Sequence, residues 1–321
     1  SPSEKVKVNL FASFMTGSDY GASLILKTSL YVWDQLGNYK TFTISSQPIA
    51  YQPWSAKELR PLEIQMPAMR GLAILSLVVE DASGNILQRN FTTFQIGEGA
   101  AARQETINEK EIIIKIVRFA PDSYKSESWS EKQWNVLDGL KVDGAGFGYF
   151  EYEIPVPDGI TAANIENITI IAELSAKKLF GKDRKDAKVP DGDYMHGKGT
   201  NDPSMNSNSY PMTDIYKYPS MVRISVEGES VGTFFLEDDP ADHNGILSWF
   251  SQPQNRKLNE AGSYGYLIKA SVPKELIERT TNKSLKIRLE VDKSLPGGLA
   301  VYGERFGRYP VDPTVIFVMK K

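Results

Sequence analysis

The sequence predicts an all-β protein built from β-sandwiches, and three observations support this fold class. Apolar and polar residues alternate with a period of two in many segments, which is typical of half-buried strands. Turn-forming residues separate these segments, as in DASGN at 81–85. The best helical candidate, VPKELIERT at 272–280, is only about two turns long. Strands without helices to cover them must bury one face against a second sheet, so we expect sandwiches.

The alternating segments occur along the whole chain. They are VKVNL from Val6, SLILKTSLYVW from Ser23, IIIKIVRF from Ile112, GYFEYEI from Gly148, ITIIAEL from Ile168, LKIRLEV from Leu285 and TVIFVM from Thr314. Residues 71–96 and 221–236 each read as two strands joined by a tight turn. We therefore predict two β-hairpins at these places.

The length of 321 residues exceeds what one hydrophobic core usually supports, so we expect two domains. Small and polar residues interrupt the strand pattern in IGEGAAARQETINEK, which begins at Ile96. We predict an immunoglobulin-like sandwich over residues 1–98, a linker over 99–110, and a larger sandwich over 111–321.

The number of strands after the linker favours a jelly roll like that of carbohydrate-binding modules. Within it, residues at about 176–214 are rich in glycine, asparagine, aspartate and lysine, and they predict a long polar loop.

Composition excludes several classes of partner and chemistry. The formal net charge is −3, and the 37 basic and 40 acidic residues are spread along the chain, so we expect neither a nucleic acid nor a membrane surface as partner. No cysteine is present, which excludes disulfides, thiolate nucleophiles and cysteine zinc sites. No apolar run approaches the roughly 20 residues of a membrane-spanning helix.

Two motifs of common catalytic sites are missing as well. The sequence contains no HExxH and no phosphate-binding GxxxxGK(S/T). Its two histidines, His196 and His243, are far apart in sequence, which leaves few bases for a Ser-His-Asp triad. We therefore assign no catalytic residue and expect that this chain is not itself an enzyme.

The stretch LEDDPADHNGILSW, residues 236–249, concentrates acidic residues next to a histidine. Asp239 directly before Pro240 is typical of a capped helical turn, which needs no ligand. Alternatively, Asp238, Asp239 and Asp242 offer carboxylate oxygens to a structural calcium ion, although the spacing is not that of an EF-hand. A third interpretation is a loop that contacts a ligand through Asp242 and His243. No cofactor is required by any of these.

Aromatic residues give a stronger indication of sugar binding, because pyranose rings stack on flat side chains. Trp129 and Trp134 lie in the polar segment WSEKQW, and we predict that they contact carbohydrate. Tyr51 and Trp54 in YQPW form a second such pair. The alternative for each tryptophan is packing in the core or at an edge of the sandwich.

The segment GGLAVYGERFGRYPVDPTVIFVM, residues 297–319, combines glycines with two arginines, a glutamate and two tyrosines. Tyr302, Glu304, Arg305 and Arg308 could bind sugar hydroxyls or a uronate carboxylate. They could equally form a buried ion pair that closes one end of the sandwich. We keep these four residues as candidates for the carbohydrate-binding surface.

Several blocks together resemble the C-terminal, non-catalytic region of bacterial glycoside hydrolase family two enzymes, the β-galactosidase-like group. The blocks are VKVNLFASF through DASGNILQRNFTTFQI, then GLKVDGAGFGYFEYEIP, LEDDPADHNGILSW, LNEAGSYGYLIKASVP and GGLAVYGERFGRYPVDP. In that family the two catalytic glutamates lie on a (β/α)8 barrel that precedes such domains. No barrel-sized βα repeat occurs in this sequence, so neither catalytic role transfers to it.

The resemblance implies an accessory region of a polysaccharide-degrading enzyme, which binds a poly- or oligosaccharide or braces a catalytic barrel. The start at SPSEKVKV without methionine agrees with a fragment that follows an N-terminal catalytic domain. We expect a bacterial exported protein, periplasmic or extracellular. The alternatives are a stand-alone jelly-roll lyase or glycosidase that uses His243 with a tyrosine, and a purely structural or adhesive module.

Overall fold

A computed structural model describes residues 1–34, 36–97, 103–179, 183, 216–236, 265–280 and 283–321. Contacts between Cα atoms divide these residues into two compact units, one formed by residues 1–97 and the other by those from 103 onward. Almost all regular structure in both units is β-strand, which confirms the predicted all-β sandwich class.

The first unit contains six strands within the described residues. They are β1 (Lys5–Phe14), β2 (Ser23–Asp34), β3 (Tyr39–Ala50), β4 (Ser55–Gln65), β5 (Gly71–Glu80) and β6 (Ile86–Ile96). Strands β1 and β4 form one sheet, and the other has the order β3-β2-β5-β6. Leu10 and Ile64 from the small sheet share a core with Leu30 and Leu75 from the large one, so the two sheets pack face to face.

The strand order of the first unit matches an immunoglobulin-like sandwich. In that fold the strands B and E are neighbours in one sheet, while C′, C, F and G follow one another in the second. Strands β1 and β4 take the places of B and E, and β3, β2, β5 and β6 take those of C′, C, F and G. The described residues thus show the order of this fold without its strands A and D.

The second unit contains thirteen strands within the described residues. They are β7 (Gln104–Asn108), β8 (Ile112–Arg118), β9 (Ser126–Trp129), β10 (Lys132–Val136), β11 (Lys141–Ala145), β12 (Gly148–Pro155), β13 (Ile165–Ser175), β14 (Ser220–Val226), β15 (Glu229–Leu236), β16 (Tyr266–Val272), β17 (Ser284–Pro296), β18 (Leu299–Tyr302) and β19 (Thr314–Lys320). One sheet has eight strands in the order β10-β11-β18-β13-β19-β8-β7, with β16 beside β13, and the other has the order β15-β14-β17-β12-β9.

A single apolar core joins the two sheets of the second unit. Val142 and Leu174 from the eight-stranded sheet and Phe150 and Leu289 from the five-stranded sheet belong to it. Because side chains alternate between the faces of a strand, the neighbours of these residues point away from the core. Those outward-facing neighbours include Asp143 and Glu173 on the eight-stranded sheet and Glu151 and Arg288 on the five-stranded sheet. The jelly-roll topology of this unit stays a prediction.

Two local predictions are confirmed, and a third has a modified form. Strands β5 and β6 pair across the turn at 81–85, where Gly84 has a φ of +83°, and β14 pairs with β15. The segment predicted as a short helix forms a 3-10 helix at Lys274–Arg279.

The described residues include parts of the predicted linker and of the predicted polar loop. Strand β7 lies inside the range 99–110 and pairs with β8, because Thr106 and its neighbours continue the ladder of that sheet. Residues 176–179, at the start of the predicted polar loop, form neither helix nor strand, and Ala176, Lys177 and Leu179 are buried. Apart from residues 176–179 and 183, residues 176–214 lie outside the described part of the chain.

Candidate functional site

Trp129 lies at the end of β9 and packs between the two sheets of the second unit. The centroids of the Trp129 and Phe150 rings are 4.9 Å apart. The indole also covers Gly144 on β11, since a Cβ atom there would come within 2.0 Å of the ring. The half-buried indole therefore serves packing in the core, and sugar contact by Trp129 stays a prediction.

Trp134 lies on β10, at the edge of the eight-stranded sheet, and is half-buried. The Lys132 ammonium is 5.6 Å from the centroid of its ring, within the range of a cation–π contact. The partner of Trp134 across the strand pair is Asp143 on β11, so both face away from the core. Trp134 remains a candidate aromatic contact for a ligand.

A buried polar cluster continues from Asp143 across the same sheet face. Asp143 and Lys141 form an ion pair of 3.0 Å, and both side chains are almost fully buried. The Lys141 ammonium lies 5.0 Å from the centroid of the Tyr302 ring. The hydroxyl groups of Tyr302 and Ser175 are 3.0 Å apart. The outer face of this sheet is therefore a packed polar layer at β11, β18 and β13.

Glu173 on β13 holds the glycine-containing segment 303–313 against this layer. Its carboxylate accepts hydrogen bonds from the backbone N–H groups of Arg308 and Tyr309, both at 2.9 Å. Gly307 is required there, because a Cβ atom at that position would lie 2.1 Å from Oε2 of Glu173. Burial raises the pKa of Glu173 to about 7, against the opposite effect of the backbone N–H donors.

The four residues of the predicted cluster, Tyr302, Glu304, Arg305 and Arg308, differ in their burial and contacts. Tyr302 is fully buried, so its ring cannot serve as an open stacking surface for a sugar. The Arg305 side chain is exposed and lies 3.9 Å from the Glu304 carboxylate. Arg308 is half-buried, and its backbone contacts Glu173. Sugar binding by the three charged residues stays a prediction.

The remaining predicted site residues lie outside the described residues. These are the sugar-contacting candidates Asp242 and His243 and the calcium candidates Asp238, Asp239 and Asp242. Within the part of the chain that the structure describes, no group of three or more histidine, aspartate or glutamate side chains is arranged to hold a metal ion.

The structure also shows an open groove that the sequence did not reveal. It has a volume of about 620 Å³ and crosses the outer face of the five-stranded sheet. Strands β12, β14, β15 and β17 and the turn between β14 and β15 line it. The lining residues are Glu151, Arg223, Ser225, Glu227, Gly228, Ser230, Lys286, Arg288 and Glu290.

The floor of this groove consists of side chains in register across neighbouring strands. Glu151 on β12 pairs with Arg288 on β17, which pairs with Ser225 on β14, and Ser225 pairs with Ser230 on β15. The residues on the opposite side of these strands belong to the core, so this row points outward. One row thus presents a carboxylate, a guanidinium and two hydroxyl groups.

Ion pairs fix the charged side chains of the groove. Arg288 Nε lies 2.8 Å from Glu151 Oε2, and Arg288 Nη2 lies 2.6 Å from the same oxygen. The Arg288 guanidinium also covers the Tyr149 ring at 4.0 Å from its centroid. Arg223 Nη2 lies 2.8 Å from Glu290 Oε2, and this contact raises the pKa of Arg223. The groove therefore has a preorganised set of donors and acceptors.

Opposite charges balance within the groove. The three glutamates of the lining match two arginines and one lysine in number. Each of the two arginines is paired with a glutamate, and Glu227 accepts a hydrogen bond of 2.7 Å from the backbone of Lys286. A balanced and paired lining favours hydrogen bonding to neutral hydroxyl groups over capture of a strongly charged ligand.

Charged side chains that alternate with apolar ones are typical of any solvated strand, so sequence reasoning missed this groove. Glu151, Arg223 and Arg288 lie on three strands that are far apart in sequence. Only the register of β12, β17 and β14 brings them together. The only indication in the sequence was the alternation of polar and apolar residues, and this alternation does not show which residues lie opposite each other on neighbouring strands.

Comparison with known proteins gives weak similarities. No protein-family model matches the chain, and no curated protein does so either. The tandem domains CBM22-1 and CBM22-2 of Xyn10C from Paenibacillus barcinonensis are similar with a TM-score of 0.23 and 11% identity, over 100% of this chain and 80% of that one. The mosquito-larvicidal Cry4Aa toxin from Bacillus thuringiensis is similar with a TM-score of 0.22 and 8% identity, over 99% of this chain and 58% of that one. At such TM-scores neither similarity supports an inference about the ligand.

Among the described residues, no helix is long and apolar enough to cross a membrane.

Proposed function

We propose that the second unit binds a neutral poly- or oligosaccharide in the groove on the five-stranded sheet. The observation that carries this proposal is the row of Glu151, Arg288, Ser225 and Ser230 on the floor of an open groove. Sugars present many hydroxyl groups, each of which donates and accepts hydrogen bonds. A groove with fixed donors and acceptors on adjacent strands meets that requirement.

The charge balance supports a neutral sugar as ligand. A uronate would require an arginine or lysine without an acidic partner, whereas Arg223 and Arg288 each contact a glutamate. Ion pairs that remain intact can still donate to and accept from hydroxyl groups, because each charged group has several hydrogen-bonding positions. This assignment differs from the uronate that the segment 297–319 suggested.

We further propose that the chain is a non-catalytic accessory region of a polysaccharide-degrading glycoside hydrolase. The family two resemblance of its sequence blocks supports this role. The same resemblance leads us to propose a catalytic domain as covalent partner, a jelly-roll topology and an exported bacterial source. The sequence contains neither HExxH nor a phosphate-binding GxxxxGK(S/T), and its one GxSxG match, at 228–232, lies in the hairpin of β14 and β15 and not at a strand–turn–helix, which supports a role without turnover. No cofactor is proposed for binding, and a structural calcium ion stays an alternative for Asp238, Asp239 and Asp242.

Isothermal titration against a polysaccharide panel tests the proposal. The neutral arm contains xylan, galactomannan and mixed-linkage glucan, and the anionic arm contains polygalacturonate, each with and without calcium. We expect binding in the neutral arm without release of reducing sugars. Binding only to polygalacturonate would contradict the neutral ligand, and release of products would contradict the accessory role.

Two groove variants and one control locate the binding surface. Arg288→Gln removes the central guanidinium, and Ser230→Trp fills the groove while it leaves the ion pairs in place. The control variant is Lys320→Gln, which breaks an exposed ion pair of 3.4 Å between Lys320 on β19 and Glu166 on β13. Neither residue lines the groove. We expect both groove variants to weaken binding about tenfold, as for the loss of a hydrogen bond to a charged group. Unchanged binding in both would exclude the groove.

A further inference from the structure

The groove on the five-stranded sheet has a direction, which follows from the strands that supply its floor. The row of Glu151, Arg288, Ser225 and Ser230 takes one residue from each of the strands β12, β17, β14 and β15. These four strands lie side by side in the sheet, so a row of paired residues runs perpendicular to them. The floor of the groove therefore crosses the sheet and does not follow any single strand.

Charged side chains border this row on both sides. On one side, Arg223 on β14 and Glu290 on β17 are cross-strand partners and form an ion pair of 2.8 Å. On the other side, Lys286 on β17 and Glu227 in the turn between β14 and β15 line the groove. Each of these four residues lies two positions from a floor residue in the sequence. A ligand between the two charged walls is therefore confined to the direction of the row.

The turn that forms part of one wall is fixed to β17 by two hydrogen bonds. Glu227 has a φ of +49°, a left-handed conformation that is uncommon for residues other than glycine. Its backbone N–H donates to the carbonyl of Lys286 at 3.0 Å, and its carboxylate accepts from the backbone N–H of Lys286 at 2.7 Å. Both bonds hold this wall in place beside the row.

The dimensions of the row determine how much of a sugar chain it can contact. Four strands with a spacing of about 4.8 Å place the first and last residues of the row about 14 Å apart. The repeat length of an extended sugar chain is close to one strand spacing, so the row has room for about three sugar residues. The groove volume of about 620 Å³ is within the range typical of sites for ligands of this size.

We propose that the groove contacts a run of about three sugar residues, in a chain that lies across the strands from Glu151 on β12 to Ser230 on β15. This inference rests on the carbohydrate function proposed above and adds the length and the direction of the bound segment. Arg288 and Ser225 lie in the middle of the row, where they contact the central sugar residue. Ser230 lies at one end and contacts only an outer residue.

Isothermal titration of the whole chain with oligosaccharides of one to six residues tests the length. The oligosaccharides have the composition of the neutral polysaccharide that binds most tightly. We expect the affinity to rise by at least about tenfold between one and three residues. Beyond three residues we expect only the gain from additional ways to place the chain on the row, about fourfold at six residues. A steep rise that continues to six residues, or full affinity with one residue, would overturn the proposed length.

A matched pair of tryptophan variants tests the direction. Ser230→Trp blocks the end of the row at β15. Thr233→Trp places the same side chain at an exposed position of the same strand, opposite Arg223 and outside the groove lining. We expect Ser230→Trp to remove the gain in affinity between two and three sugar residues, and Thr233→Trp to retain it. The reverse result would mean that the chain follows the strands, and equal results for the two variants would also overturn the proposed direction.

This inference and the carbohydrate function fail in different ways. If no polysaccharide binds, both are wrong. If a polysaccharide binds but its oligosaccharides show no break at three residues, the carbohydrate function stands and this inference alone is wrong. Urea unfolding verifies that each variant is folded, and Ser230→Leu, with a smaller side chain that still narrows the groove, replaces Ser230→Trp if the latter does not fold.

Discussion

Glu173 accepts a hydrogen bond of 2.9 Å from the backbone N–H of Tyr309, and both residues are fully buried. The carboxylate thereby connects β13 to the segment that precedes β19. Burial nevertheless raises its pKa from 4.5 to about 7, so the folded protein holds a proton there over a pH range in which the unfolded chain has lost it.

This pKa shift predicts that the second unit loses stability as the pH rises. Below pH 4.5 the carboxyl group is protonated in both states, and between 4.5 and 7 only the folded state keeps the proton, so the free energy of unfolding falls through this window and then levels off. The expected loss is about 3 kcal/mol. Urea unfolding at pH 5 and pH 8 measures it, and Glu173→Gln should remove the difference. The control Glu153→Gln, at an exposed position of β12, should keep it.

A second prediction concerns the contact between Trp129 and Gly144. A methyl group at residue 144 would overlap the indole, so we expect Gly144→Ala to destabilise the second unit by about 1–3 kcal/mol. The double variant with Trp129→Leu should recover part of this loss, because the smaller side chain leaves room for the methyl group. Thermal unfolding of both single variants and the double variant gives the coupling energy. Simple additivity would contradict the packing role of Trp129.

The contrast between Trp129 and the groove shows what the sequence could predict. Alternation in β8, β12, β13, β17 and β19 predicted the strands, because burial of one sheet face requires that pattern. It did not separate a packing tryptophan from an exposed one, since this depends on Gly144 of another strand. Nor did it bring Glu151, Arg288 and Ser225 together, because cross-strand register follows from packing of the whole sandwich.

A third prediction concerns the buried ion pair of Lys141 and Asp143. Replacement of Lys141 by methionine removes the cation from beside a carboxylate that is only 1% exposed, so we expect a loss of about 3 kcal/mol in the free energy of unfolding. The double variant with Asp143→Asn should lose less, because no buried anion is then left beside the methionine. Urea unfolding checks both values. An equal or greater loss in the double variant would show that the aspartate is needed for other reasons.

The last prediction separates the two surfaces of the second unit that could bind a sugar. Trp134 lies on the eight-stranded sheet, whereas Arg288 lies in the groove of the five-stranded sheet, so the two residues belong to different faces of the sandwich. If the groove binds the neutral polysaccharide, Trp134→Ala should change the affinity less than about twofold, while Arg288→Gln should lower it about tenfold. Isothermal titration with the tightest-binding member of the neutral panel measures both. A larger loss of affinity in Trp134→Ala than in Arg288→Gln would instead place the binding surface at the edge of the sheet formed by β10. The affinity would then come from stacking of the Trp134 ring on the sugar.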